Sequence, residues 1–341
     1  MKAARVVAYH EPFALTEVPE PEVQGPHDVI VRIGGAGLCR TDLHILEGLW
    51  QDKVPVTLPY TPGHENAGWV QAVGSDVSAV KVGDPVIVHP VMTDGTCPAC
   101  RRGQDMHCET VVFPGIWADG GFALLLRTSE RSVLRLPPNL EPADVAPYAD
   151  AGLTAYRAAK KAAGSLSPGT RAAIIGIGGL GHIALQCLRA LCAAEIIAVD
   201  TRASALELAR SLGSDQLVDA QGRPVEQVRD LADGAGVEAV LDFVGEGPAV
   251  EQGVRMLRQG GTYYVIGYGG TLQVPTMDFI TGELSVVGNL VGSFTELREL
   301  MALAGQGRVS LRTTRYPLEA INEAVDALEH GRLEGRAVIV P

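Results

Sequence analysis

From Met1 to about residue 150 the apolar positions come in short alternating runs broken by glycine and proline. Val29-Ile30-Val31-Arg32-Ile33 and Pro85-Val86-Ile87-Val88 are typical, and their spacing predicts a β-rich domain. From about Leu153 the texture changes. Apolar runs at Ile174-Ile175, Ile196 to Val199, Gln216 to Val218, Ala239 to Leu241, Tyr263 to Ile266 and Val286-Val287 alternate with helical stretches. Such alternation predicts an α/β architecture with a doubly wound parallel sheet. Beyond Phe294 the pattern predicts a helix over 296–303, a turn at Gly305-Gln306-Gly307, an amphipathic helix near 320–328 and a final strand over 337–340. The expected segments are therefore 1–152, 153–294 and 295–341.

Composition narrows the function classes. With 341 residues, 46% hydrophobic and 20% charged, the chain has material for two globular domains. Its net charge of −12, and lysine or arginine runs no longer than a pair, disfavour a nucleic-acid partner. No run of 18 apolar residues and no leader pattern after Met1 is present, so the expectation is a cytoplasmic protein without a membrane partner. Six cysteines are too few and too unevenly placed for a disulfide scaffold, and their arrangement speaks of metal.

Cys39, His64 and Asp150 supply a thiolate, an imidazole and a carboxylate. Three such ligands suit zinc and leave a fourth tetrahedral position open, which implies catalysis. Asp42 and Glu65 follow these positions closely and are expected to orient the imidazole or set the local field, with Glu65 the rival to Asp150 as third ligand. Thr41 lies within reach of an oxygen at such a site, and His44 shares its face if the segment is helical. Cys97, Cys100 and Cys108 sit in a Pro/Gly/Arg-rich stretch and read as a structural zinc lobe. Cys187 and Cys192 read as small core residues.

The run Gly176-Ile177-Gly178-Gly179-Leu180-Gly181 lies between a strand-like segment and an apolar helical one. In that context the glycines form a tight turn, admit a pyrophosphate to the backbone, and pack helix on strand at the helix N-terminus. Asp200 ends the next apolar run, where a carboxylate binds ribose hydroxyls and repels a 2′-phosphate. NAD is therefore expected over NADP, with Arg202 leaving room for dual use.

Taken together, these motifs resemble the zinc-dependent alcohol dehydrogenases of the medium-chain dehydrogenase/reductase superfamily over essentially the full length, closest to bacterial and archaeal secondary-alcohol dehydrogenases. Gly63-His64-Glu65-Asn66-Ala67-Gly68, with Gly74 and Val77, matches the family's zinc signature, and Asp150 to Tyr156 matches the segment carrying the third ligand. The resemblance implies a GroES-like catalytic domain to which the C-terminal segment returns, a Rossmann cofactor domain, and an active site in the cleft between them. It implies two zinc ions per subunit. In the family's four-cysteine lobe the first ligand position is Asp94 here, a departure that is expected to give a closed site of Asp94, Cys97, Cys100 and Cys108, with an empty lobe, or His107 or Asp105 as fourth ligand, as the alternatives. The resemblance further implies a proton relay through Thr41, the nicotinamide ribose and His44. Cofactor contacts are expected at Arg40, Gly176, Gly178, Gly179, Leu180, Gly181, Asp200, Arg202, Val244, Ile266 and Arg336. A mainly apolar pocket is expected at Leu46, Trp50, Trp117, Leu290 and Val291. The reaction implied is hydride transfer between NAD and a secondary, cyclic or medium-chain alcohol, with a polyol dehydrogenase, an aldehyde reductase or a non-catalytic NAD-binding protein as alternatives. A dimer or tetramer is implied, the cofactor sheet pairing through its last strand.

Overall fold

A computed structural model describes residues 1–51, 56–333 and 335–341. The chain divides into two compact units, one of residues 1–153, 292–306 and 311–341, the other of 154–291 and 307–310. The return to the first unit thus falls at Gly292, and residues 307–310 visit the second unit within the C-terminal segment. Short-range pattern cannot reveal such an excursion.

The first unit is built on the long strand Asp28–Leu38. It pairs antiparallel with Glu65–Val73, Leu125–Ser129 and Arg336–Val340. Gly37 faces Glu65 and Ala337 faces Leu38. Continuing each register past the strand ends brings Cys39, His64 and Arg336 to one corner, because antiparallel neighbours begin where their partners finish. At that corner the strand gives way to the helix Arg40–Leu46, with Cys39 at its N-cap. Asp150 ends the 3₁₀ turn Ala146–Ala149 and immediately precedes the helix Ala151–Ala163.

The second unit carries a six-stranded parallel sheet in the spatial order Gln216–Asp219, Glu195–Asp200, Arg171–Ile175, Val237–Asp242, Leu257–Val265, Ser285–Gly288. The chain leaves the central strand Arg171–Ile175 in one direction and resumes beside it at Val237–Asp242, so the switch point lies between these strands. Ligands of doubly wound sheets bind outside the carboxyl ends there. The helix Gly181–Leu191 buries residues 181–188 without interruption, as the apolar run required. Leu185 is fully buried, and truncation to alanine would cost about 2–5 kcal/mol through lost transfer energy and the cavity left behind. Cys187 belongs to this core, whereas Cys192 caps the helix end half-buried, with its thiol on the Leu188 carbonyl at 3.4 Å. The expectation of a core role for Cys192 is corrected to that extent.

The predicted C-terminal elements appear as helices Phe294–Gly305 and Ile321–Glu329 and strand Arg336–Val340, with a further strand, Thr313–Pro317, at the sheet's edge. That strand is half polar and flanked by charge, so its sequence carries no alternation to betray it.

Candidate metal centre and dinucleotide turn

His64 is buried, and neither ring nitrogen has a partner in hydrogen-bond geometry. Two carboxylates flank it, Asp150 Oδ2 at 3.3 Å from Nε2 and Asp42 Oδ1 at 3.5 Å from Nδ1. A buried, unsatisfied imidazole is costly unless something else completes it. Two ligand atoms on one tetrahedral zinc lie about 3.4 Å apart, so the Nε2 to Asp150 spacing suits a shared metal. Asp42 on the far nitrogen is the arrangement that fixes the tautomer of a ligating histidine. Asp42 also accepts the Cys39 amide at 2.8 Å, holding the thiol at the helix start. Burial by itself would lower the His64 pKa, but Asp42, Asp150 and Cys39 together raise it well above its ordinary value. That is the signature of a site built to hold positive charge.

Cys39, His64 and Glu65 each present a donor atom within 4.8 Å of the others. Both Glu65 oxygens are engaged, however. Oε1 accepts the Ala151 amide at 3.1 Å and Oε2 pairs with the Arg336 guanidinium. Arg336, expected at the pyrophosphate, is buried on Glu65 and close to Cys39, and its charge is held firmly against burial by both. Thr41 and His44 stand three residues apart on Arg40–Leu46, half-buried, on one helical face. The helix cap falls at Cys39. Arg40 is exposed.

The second metal group is Asp94, Cys97, Cys100 and Cys108. One Asp94 oxygen caps the turn, accepting the Thr96 and Cys97 amides at 2.6 and 2.8 Å. The other faces the Cys108 sulfur at 3.2 Å and accepts the Thr110 hydroxyl at 2.8 Å. These donors hold the Asp94 carboxyl far below the usual carboxylate range. Amides of Cys100 and Asp94 point at the sulfurs of Cys97 and Cys108, each at 3.5 Å. Burial pushes Cys100 up to about 11, so its thiolate needs a cation nearby. The other candidates for fourth ligand stand elsewhere. Asp105 accepts the Phe294 amide at 3.0 Å, and His107 is exposed outside the group. Thr110 carries no motif and was invisible in the sequence.

In the second unit the glycine turn has the form its spacing predicts. Gly176 has φ +85°. Gly178 faces open space, where a Cβ would meet only the Arg202 guanidinium at 3.8 Å. Gly181 lies against the Gly176 carbonyl, where a Cβ would come within 1.9 Å. Gly179 and Leu180 are half-buried and lead into the helix. Asp200 Oδ2 accepts the Ile177 amide at 2.8 Å, and Oδ1 accepts the Arg202 amide at 2.9 Å with the Arg202 Nε at 3.4 Å. The carboxylate thus braces the turn that a dinucleotide would occupy. Val244 is exposed and Ile266 half-buried, at the carboxyl ends of neighbouring strands.

Of the expected pocket residues in the first unit, Leu46 is buried and Trp50 lines a small hollow with Tyr9, Ile45, Val56, Tyr60 and Ile116. Trp117 meets Phe113 edge-on at 6.2 Å, and Phe113 meets His64 edge-on at 5.9 Å. Phe113 and Ile116 lie in an irregular loop, and periodicity gave no sign of them. In the second unit Leu290 is exposed and Val291 buried in a left-handed conformation, φ +44°.

Comparison with known proteins matches residues 25–138 to the alcohol dehydrogenase GroES-like domain and residues 179–306 to the zinc-binding dehydrogenase domain. The chain is 35% identical to an alcohol dehydrogenase of Geobacillus stearothermophilus, covering 99% of this chain and 98% of that one. It is 34% identical to an NAD-dependent alcohol dehydrogenase of Sulfurisphaera tokodaii, over 100% of both. The crystal structure of the alcohol dehydrogenase from Aeropyrum pernix superposes with a TM-score of 0.97 at 48% identity, covering 100% of each chain.

Proposed function

The chain belongs to the zinc-dependent alcohol dehydrogenases of the medium-chain dehydrogenase/reductase superfamily, and from that premise we propose which of its residues carry the reaction. It is an NAD-dependent oxidoreductase acting on an alcohol and its carbonyl partner. The observation that carries the site assignment is the buried, unsatisfied His64 ring between two carboxylates.

Cys39, His64 and Asp150 hold the catalytic zinc. Glu65 does not ligate; it anchors the Ala151 helix start and neutralises Arg336 beneath the site. Asp94, Cys97, Cys100 and Cys108 hold the structural zinc. When bound, the catalytic zinc supplies a Lewis acid that acidifies the alcohol, and NAD accepts the hydride. Thr41 Oγ orients the substrate hydroxyl and would accept its proton while releasing its own toward the His44 imidazole on the same helical face. Asp42 keeps the His64 ring in one tautomer. In the second unit Gly176, Gly178, Gly179, Leu180 and Gly181 seat the pyrophosphate, Asp200 favours NAD over NADP by repelling a 2′-phosphate, and Val244 and Ile266 line the cofactor. Arg40, exposed at the start of its helix, adds positive charge for phosphate, whereas Arg336 is paired with Glu65.

In the first unit the apolar side chains of Leu46, Trp50 and Trp117 favour secondary, cyclic or medium-chain alcohols, and Leu290 and Val291 add apolar surface to the second unit. The strand Ser285–Gly288 is a sheet edge, and Met277, Ile280, Val286 and Leu290 are exposed nearby in sequence. An open edge beside apolar side chains supports pairing with a second copy, as a dimer or tetramer. Among the described residues no helix is long and apolar enough to cross a membrane. The six free cysteines support work in the reducing cytoplasm.

Metal analysis separates the ligand assignments. Asp150→Ala should fall from two zinc ions per chain to one, while Glu65→Gln retains both. The reverse pattern would transfer the third ligand to Glu65.

A further inference from the structure

Asp242 ends the strand Val237–Asp242 fully buried, with no cationic partner among the described residues. Its Oδ1 accepts the amides of Val244 at 2.8 Å and Gly245 at 3.0 Å. Its Oδ2 accepts the hydroxyl of Tyr263, itself fully buried on the adjacent strand. Its backbone carbonyl accepts the amides of Ile266 at 3.0 Å and Gly267 at 2.8 Å. One residue therefore ties down the turns after two neighbouring strands, and those turns carry both Val244 and Ile266.

The turns also touch. A Cβ on Gly245 would lie 2.0 Å from the Gly267 carbonyl carbon, so backbone rests on backbone. A Cβ on Gly176 would meet the Val244 side chain at 2.7 Å, so Val244 leans on the first glycine of the dinucleotide turn. The Tyr263 ring is wedged against Gly253, where a Cβ would come within 2.6 Å, and cannot swing away. Burying a carboxylate is expensive unless its oxygens are filled by fixed donors, and here each donor is a turn amide or a clamped phenol. Such an arrangement fixes the height of Val244 above the glycine turn.

We propose that Asp242 and Tyr263 are positioning residues for the cofactor. Through the Asp242 side chain and carbonyl they set the Val244 and Ile266 turns against Gly176 before NAD arrives, so that binding pays little ordering cost. The inference rests on the reading that Val244 and Ile266 line the cofactor.

The test is a double-mutant cycle with Tyr263→Phe and Val244→Gly, reading the NADH dissociation constant by fluorescence. Tyr263→Phe keeps the ring and removes the hydroxyl that donates to Oδ2. It should raise the dissociation constant and the KM for NAD about 5- to 10-fold, within the range of a lost hydrogen bond of ordinary net strength, without lowering kcat at saturating NAD. The two substitutions should be strongly non-additive. A purely structural role would lower the melting temperature and move neither the KM nor the coupling. If Val244→Gly weakens NADH binding while Tyr263→Phe leaves it within about twofold, the positioning role is overturned and the Val244 contact stands. If neither weakens binding, the contact reading fails and the inference with it. Should Tyr263→Phe not fold, hydrogen exchange on the unaltered protein decides. Val244 and Gly245 amides should exchange far more slowly than Gly247 without cofactor, and equal rates would overturn the proposal.

Discussion

The Glu65 carboxylate and the Arg336 guanidinium form an ion pair whose side chains are 0% and 4% exposed. They come from strands that flank Asp28–Leu38 on opposite sides. Burial raises the Glu65 pKa and the Arg336 charge opposes that rise. Removing one partner leaves a buried charge without its counterion. Glu65→Gln should therefore destabilise the protein by about 3–5 kcal/mol in denaturant unfolding. Replacing both residues together with apolar side chains of similar volume should cost less than the single change, because no naked charge remains. Equal costs would remove the ion pair from the account of this corner.

Protons and metal compete at His64. Its pKa is raised by Asp42, Asp150 and Cys39 against the effect of burial. A raised histidine pKa stabilises the folded apoprotein below the ordinary histidine value, and that contribution is lost as pH rises through the raised one. Zinc needs the neutral ring, so the metal gains where the proton loses. Zinc titration of the apoprotein in weak buffer should release protons, and apparent affinity should climb with pH through neutrality. A flat profile would contradict the ligand role of His64.

Asp94 groups with the sulfurs of Cys97, Cys100 and Cys108, and its anchoring amides keep it ionised. Asp94→Ala should lose one zinc per chain and much of the heat resistance, while the initial rate at moderate temperature falls far less. Asp94→Cys should restore metal and resistance. Paired metal analysis and thermal inactivation check this.

Cofactor choice turns on Asp200. Its carboxylate braces Ile177 and carries Arg202 on its other oxygen. Asp200→Ser should raise the KM for NAD and lower that for NADP, with Arg202 then free to meet the added phosphate. Further loss of Arg202 should cancel the NADP gain. Matched kinetics with both cofactors would show it.

Much of this was legible in the chain because its chemistry is local or periodic. The glycine turn, the strand alternation and Cys97-x2-Cys100 are short-range patterns whose spacing is itself the physics. Cys39 and His64 could be paired because each sits in a recognisable run, although the register that joins them needed the sheet. What stayed hidden depends on distant packing. Phe113 reaches His64 from an irregular loop, Thr110 reaches Asp94 from outside the cysteine pattern, and Tyr263 looked like any strand aromatic until its hydroxyl was found on Asp242. Arg336 was expected at a phosphate and is instead locked against Glu65, a contact set by strand order across nearly the whole chain.

The most direct test of the central claim is NADH formation from NAD with matched secondary, cyclic, primary and polyol substrates, before and after zinc removal and after zinc restoration. The account predicts oxidation led by secondary or cyclic alcohols, lost on removal of the metal and regained when zinc is returned. Turnover that persists without zinc would contradict it, as would a preference for polyols over apolar alcohols.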